Sequence, residues 1–276
     1  MGLLGSNFVK ALLNKGIAVN VWNRTAGKAK ALESLGAQAF EQVQDAVAGA
    51  THIHVTLKDD DSVDAVLQTA AANISPGAYI IDHTTTSREG AIRRTAYWKE
   101  KGIHYQHAPV FMGPVNARES TGYMLLSGDP AVSQALTPLL NTMTGQILQL
   151  GPETGKAAAM KLCGNAFLVC LNFSLRETMA VAKALDVSVN ELQALFAEWN
   201  PSAQLEGRLR RLSDGKGTNP SWELSMSRKD TGLFLDALGT AAIPPTLLPV
   251  VAGVMDRWIA DGFGNHDWTV VGRDYV

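Results

Sequence analysis

From Lys156 to Leu185 the chain runs without proline, with Gly164 as its single glycine and with apolar residues at helical spacing. At 1.5 Å per residue this stretch predicts one helix of about 45 Å. It also marks a change of character. Up to Gly151, helix-like and strand-like segments alternate, which argues for a parallel sheet covered by helices. Strands are predicted at 17–22, 52–57, 78–82, 104–107, 122–127 and 147–150, with helices at 26–35, 62–72 and 91–101 among them. Breakers at Gly36-Ala37, Ser75-Pro76-Gly77 and Gly128-Asp129-Pro130 separate these segments. After the long helix, further helices are predicted at 188–198, 202–211, 224–238 and 244–261. The expected fold is therefore an α/β Rossmann-type parallel-sheet domain over residues 1–152, followed by an all-α domain over residues 153–276.

Met1-Gly2-Leu3-Leu4-Gly5 leads directly into an amphipathic stretch at 8–13, as the second half of a G-x-G-x-x-G turn does. Glycines there let the backbone pass close to a pyrophosphate, and the following helix N-terminus offers unpaired N–H groups and the positive end of its dipole. Two glycines alone are a weak signal, and the sequel strengthens them. Gly16 ends the helix, a short buried strand follows, and Asn23-Arg24-Thr25 stands at its C-terminal end, where the adenosine ribose would lie. An acid at that place would accept from a free ribose 2′-hydroxyl and repel a 2′-phosphate. Here Asn23 is followed by Arg24, with Thr25 and Lys28 nearby. A guanidinium grips phosphate through paired hydrogen bonds, so these residues favour NADP(H) over NAD(H). The competing reading makes Arg24 and Lys28 a solvated helix start. The motif's first glycine and the strand before it have no counterpart, so the sheet is expected to lack its first strand. Met1 is read as an internal methionine at the second place of the motif. In a sheet of order 3-2-1-4-5-6 that strand is central, and its loss would weaken the sheet.

With 276 residues, 46% of them hydrophobic, the chain can bury a sizeable core in one large or two modest domains. A net charge of -2 and the absence of any basic run give no reason to expect nucleic acid or an anionic membrane as partner. No signal-peptide pattern and no uninterrupted apolar stretch of transmembrane length can be read, which makes the cytoplasm the default location. Cys163 and Cys170 suit neither a metal cluster nor a disulfide framework and are expected as buried thiols. His52, His54, His83, His104 and His107 stand at or beside strand ends without metal-ligand spacing, and are expected to be structural.

Lys161 and Asn165 lie four apart on the long helix and share a face, as a substrate clamp or as a solvated face. Together with motifs elsewhere they bring out a resemblance to the β-hydroxyacid dehydrogenase family, which includes 3-hydroxyisobutyrate dehydrogenases and glyoxylate and succinic semialdehyde reductases. Gly2-Leu3-Leu4-Gly5 resembles the family's glycine turn, with Leu4 where Met is usual, and 21–25 is similar to its NADP-using members. Asp82-His83-Thr84-Thr85 resembles D-x-S-T, and Ala108-Pro109-Val110 with Gly113 resembles the substrate loop. Gly151-Pro152 to Gly155, then Lys161 to Asn165, resembles the start of the interdomain helix. Lys229-Asp230 after Trp222 resembles a late K-D motif.

The resemblance implies that Lys161 is the catalytic acid and base in hydride transfer between NADPH and a small aldehyde, ketone or hydroxy acid. The apolar helix face and a neighbouring Lys229 would lower its pKa. Asn165 would orient Lys161 or the substrate hydroxyl. Thr85, Phe111, Met112, Gly113, Trp222 and Asp230 would meet substrate. Gly2, Leu3, Leu4, Gly5, Asn23, Arg24, Thr25, Lys28, Leu57, Lys58, Val63, Thr85 and Lys229 would meet the cofactor. The substrate loop departs from the family: its polar S-G-G reads Phe111-Met112-Gly113, Pro114 removes an N–H, His107 replaces an Asp, and Gly164 replaces an Asn. An apolar or bulkier substrate follows, unless Phe111 is core packing beneath the loop. Imine reductases share the two-domain plan, but their lysine is typically replaced, so Lys161 argues against that activity. A non-catalytic scaffold would need none of Lys161, Asn165 and Asp230. The helical half is expected to pair with further copies as a homodimer or homotetramer.

Overall fold

The computed structural model describes residues 1–275. They fall into two units that divide between Ala166 and Phe167. In the first, strands and helices alternate: α1 (Leu3–Asn14), β1 (Asn20–Trp22), α2 (Ala26–Lys30), β2 (Gln38–Phe40), α3 (Val43–Val47), β3 (His52–Val55), α4 (Asp60–Ala70), β4 (Tyr79–Asp82), α5 (Arg88–Glu100), β5 (His104–His107), β6 (Val110–Phe111), α6 (Pro114–Glu119), β7 (Tyr123–Leu126), α7 (Pro130–Leu140), β8 (Gln146–Gln149) and the first turns of α8 (Lys156–Ala184).

Parallel pairing dominates. β1 pairs with β2, β3 with β4 and β4 with β5, the last three in a register that aligns His52, Tyr79 and His104. β7 pairs parallel with β8 and antiparallel with β6. The Rossmann-type reading holds, but hydrogen bonding divides the strands into three groups, β1-β2, β3-β4-β5 and β6-β7-β8, with no ladder between β1 and β3 among the described residues. Between β5 and β6 the break coincides with Pro109, which has no N–H to donate to a ladder.

Helices cover both faces because their apolar stripes need partners. Phe8 and Leu12 of α1 join Ile81, Met124, Leu126, Leu136 and Leu140 in one cluster, while Val9 joins Val21, Ala29 and Leu32 in another. A third cluster gathers Ile53, Val55, Val63, Leu67, Ile80 and Trp98. Gly5 sits where a Cβ would stand 2.4 Å from the Thr56 hydroxyl, so the glycine permits α1 to approach the end of β3.

The second unit is helical: the rest of α8, then α9 (Val189–Glu198), α10 (Leu205–Asp214), α11 (Leu224–Thr240) and α12 (Leu248–Trp258). Its core is small, built on Leu224, Met255, Trp258 and Val270. Buried Glu177 of α8 accepts the N–H groups of Thr246, Leu247 and Leu248 at the start of α12, where a carboxylate complements the helix dipole. Asp267 likewise accepts from the N–H and hydroxyl groups of Ser221 and Thr269, which hold its carboxyl well below the ordinary range against the opposing effect of burial.

Two expectations, the buried cysteines and the helix at 26–35, need correction. Cys163 and Cys170 are exposed, because α8 presents its apolar residues, among them Phe167, Leu168, Val169, Phe173 and Met179, without covering partners in one copy of the chain. α8 also has the length and composition of a membrane span, with mean hydropathy 1.4 and 6% of the window buried, but Lys161 and Asn165 interrupt its apolar sequence, as the absence of an unbroken apolar stretch in the sequence requires. The helix expected at 26–35 ends at Lys30 and resumes only as a short 3-10 turn at Glu33–Leu35.

Candidate active site

The C-terminal ends of β3, β4 and β5 are tied to one another by side chains from the turn that follows β4. Leu57 N–H donates to the Thr84 hydroxyl at 3.0 Å, and His107 Nε2–H donates to the Thr84 carbonyl at 2.9 Å. Thr84 N–H donates to Asp82 Oδ1, and Ser87 N–H to Asp60 Oδ2. Between these anchored residues Thr85 alone is exposed, its neighbours Thr84 and Thr86 being buried. The turn thus presents Thr85 on a fixed backbone.

Beneath it lies a buried polar network. Tyr105 donates its phenol proton to Asp82 Oδ2 at 2.6 Å and accepts from Arg94 Nε at 2.8 Å. Arg94, 3% exposed, also pairs with Asp60 and Asp64. Burial opposes the guanidinium charge, but Tyr105 and the two carboxylates outweigh it and hold Arg94 above its ordinary pKa. Burial first, and then the Asp82 charge, push the Tyr105 phenol well above its usual value. A second group stacks at the β3–β4 edge, where His83 Nδ1–H donates to the Ala108 carbonyl and its Nε2 accepts from His54 Nδ1 at 3.0 Å. Burial lowers the pKa of His83 to about 4 and that of His54 well below the ordinary histidine value, which keeps both rings neutral. His54 and His83 thus have hydrogen-bond and stacking partners. The network as a whole has no sequence signal, because no local pattern pairs residues so far apart in sequence.

α8 starts from a fixed point. Ala157 N–H donates to Ser127 Oγ at the end of β7, and Gly155, at φ +85°, lies where a Cβ would meet Ile92 of α5 at 2.8 Å. The second turn of α8 brings Lys161 inward, 9% exposed, with its ammonium donating to Asn165 Oδ1 at 2.9 Å. The ring of Phe111 stands beneath it, 4.3 Å from Nζ to the centroid. Burial alone lowers the Lys161 pKa. The expected contribution of Lys229 is absent from that balance; Lys229 lies in the second unit and pairs with the adjacent Asp230 at 2.9 Å. Trp222, also in the second unit, packs against Trp268.

At the start of α1, Gly2 is the N-cap, with no side-chain cap bond and no acid in the first turn, and a Cβ there would meet nothing within 4 Å. Gly2 and Leu3 there are exposed, and a helix start carries N–H groups without intrahelical partners and the positive end of the dipole. Arg24, Thr25 and Lys28 are exposed at the end of β1, and neither cation forms an ion pair among the described residues. Asn23 turns its amide onto the Thr25 carbonyl. A helix start with open N–H groups beside two unpaired cations fits a dinucleotide's phosphates.

The structure places the remaining expected residues as follows. Gly113 N–H is taken by Asn116 Oδ1 at 2.9 Å. Lys58 is exposed and pairs with Asp59. Leu57 packs partly into the core below β3, and Leu4 into that beside α1, while Leu3 is exposed. One assignment is corrected. Val63 is 0% exposed within the core cluster of Ile53 and Leu67, because it faces inward on α4. Met112, just past β6, is half-buried against the cluster of Phe8 and Met124.

Residues 1–151 match the NAD binding domain of 6-phosphogluconate dehydrogenase. Over 98% of its length the chain is 28% identical to an uncharacterized oxidoreductase of Bacillus subtilis, covering 96% of that protein. It is 27% identical to the chloroplastic glyoxylate/succinic semialdehyde reductase 2 of Arabidopsis thaliana over 97% of this chain and 75% of that one. Among solved structures, an imine reductase from Myxococcus stipitatus in complex with NADP+ superposes with a TM-score of 0.90 at 22% identity, covering 99% of this chain and 96% of that one. At that identity the likeness is one of fold.

Proposed function

From its membership of the β-hydroxyacid dehydrogenase family, to which this chain belongs, we propose that it reduces a small aldehyde or ketone with NADPH, Lys161 delivering the proton. The chain is an NAD(P)-dependent oxidoreductase. The observation that carries Lys161 is its buried ammonium, lowered in pKa by burial and hydrogen-bonded, among the described residues, to Asn165 alone. A lysine so placed gives its proton to the oxygen as negative charge develops there, and recovers it from that oxygen in the reverse direction. Asn165 positions the ammonium through one hydrogen bond and leaves two N–H groups for substrate. Thr85, exposed on its anchored turn, is the hydroxyl offered to substrate and cofactor. The nicotinamide supplies the hydride when bound. Gly2, Leu3, Leu4 and Gly5 would hold its pyrophosphate through their backbone, with Arg24, Thr25 and Lys28 on the 2′-phosphate. Trp222, Lys229 and Asp230 are assigned from the family resemblance.

The preference for NADPH rests on two unpaired cations and on Asn23 where an acid would favour NADH. Turnover with both cofactors tests it. Arg24→Glu is expected to weaken NADPH binding about ten- to hundredfold, since charge-assisted hydrogen bonds contribute roughly 1.5–3 kcal/mol, and to leave NADH binding little changed. Equal losses with both cofactors, or none, count against it. We also assign the apolar face of α8 to self-association as a homodimer or homotetramer, with the cytoplasm as its compartment; exposed Phe167, Leu168, Phe173 and Met179 support the pairing.

A further inference from the structure

Phe111 on β6 and Gly164 on α8 are far apart in sequence and touch in the fold. A Cβ on Gly164 would stand 2.3 Å from Phe111 Cζ and 2.7 Å from Cε1, well inside contact distance, so the ring occupies space that only a glycine leaves free. One turn earlier on the same helix face, Lys161 holds its ammonium over the same ring. Each residue therefore accounts for the other: Gly164 admits the ring, and the ring forms the wall beside the proton donor.

That wall offers little to an anion. Gly113 N–H is already bonded to Asn116, and Pro114 has no N–H. The Phe111 carbonyl is pressed toward Gly122, where a Cβ would meet it at 2.8 Å. A carboxylate on this side would lose water, face the negative π-cloud of the ring, and meet in Lys161 a cation already hydrogen-bonded to Asn165. An alkyl or aryl group on this side would bury apolar area against Phe111 and leave Lys161 to the carbonyl oxygen.

We infer that the Phe111–Gly164 contact sets the specificity of this site, selecting an uncharged ketone or aldehyde whose flank toward β6 is alkyl or aryl and rejecting keto acids with a carboxylate there. The inference rests on the reductase reading above. In the reaction, the reduced nicotinamide supplies two electrons as hydride to the carbonyl carbon, the C=O π-bond breaks, and the oxygen takes a proton from Lys161. An alcohol leaves, and Lys161 regains a proton from solvent.

The test uses the full chain, NADPH, and two matched substrates, 4-phenyl-2-butanone and levulinate. The wild type is expected to favour the phenyl ketone in kcat/KM by tenfold or more, and Phe111→Ser to shift that ratio toward levulinate by at least tenfold. Gly164→Asn is expected to lower Tm in the wild-type background and much less in Phe111→Ser, since the serine vacates the space the asparagine needs. A wild type that prefers levulinate, or a ratio unmoved by Phe111→Ser, overturns the specificity claim. Equal Tm losses for Gly164→Asn in both backgrounds overturn the contact. If neither ketone turns over with NADPH or NADH, the reductase reading falls and the specificity claim with it, while the Tm comparison still reports on the contact.

Discussion

Single side chains decide the chemistry here through where they are buried. His83, neutral and at about 4 in the folded chain against 6.5 unfolded, has a depressed pKa, so the unfolded state binds a proton that the folded state refuses. The stability this represents is complete above pH 6.5 and is lost as pH falls from there toward about 4, by on the order of 3 kcal/mol. Thermal melts at successive pH values check it: Tm should fall across that window and fall less steeply in His83→Gln. Arg94 makes the opposite case, a buried cation held by two carboxylates and a phenol. Arg94→Met should lower stability by about 3–5 kcal/mol in denaturant unfolding, because it strands the buried Tyr105–Asp82 pair. Lys161 and Asn165 were legible in the sequence, since a spacing of four fixes a shared helix face before any tertiary contact forms. The Phe111–Gly164 contact was not, because it exists only once β6 and α8 meet; the sequence showed two departures and no link between them. Val63 was misassigned for a related reason, as position after a strand does not reveal which face of α4 turns inward.

Elements with strong local signals matched their expected places. α8 begins at Lys156 as expected, and β5 coincides with its predicted span, because an unbroken helical period and a bounded strand need no outside help. β2, α3, α6 and β6 went unread; they are between two and six residues long, too short for either period to show, and packing rather than propensity holds them. α7 also went unread although its signals are local: Asp129 accepts from Ala131 N–H ahead of Pro130 at the first helical position, but Gly128-Asp129-Pro130 also reads as a turn and Pro138 lies within the helix. Within the second unit, Glu177 satisfies the start of α12 by accepting from three successive N–H groups. Glu177→Ala should therefore cost roughly 1–3 kcal/mol, read as a lower Tm, by orphaning those donors. No loss of stability would show that water replaces the carboxylate there.

At the scale of the whole molecule, the long helix is the feature one copy leaves unfinished. Its exposed apolar residues predict that Phe173→Arg shifts the chain toward monomer in sedimentation velocity, whereas an oligomeric state indifferent to Phe173 would place the partner elsewhere. The paired architecture of sheet and helical units was legible because strand–helix alternation gives way abruptly to helices alone; the division of the sheet into three hydrogen-bonded groups depended on backbone partners that no single segment reveals. What joins these scales is the placement of one partly desolvated ammonium on a rigid helix that begins at the edge of a dinucleotide-binding sheet. The most direct measurement is therefore single-turnover hydride transfer from saturating NADPH to 4-phenyl-2-butanone, comparing the wild type with Lys161→Met. Loss of a positioned acid should slow the chemical step about 10²–10⁴-fold while leaving NADPH affinity within about twofold. Hydride transfer at an unchanged rate in Lys161→Met would contradict the assignment of the proton to Lys161.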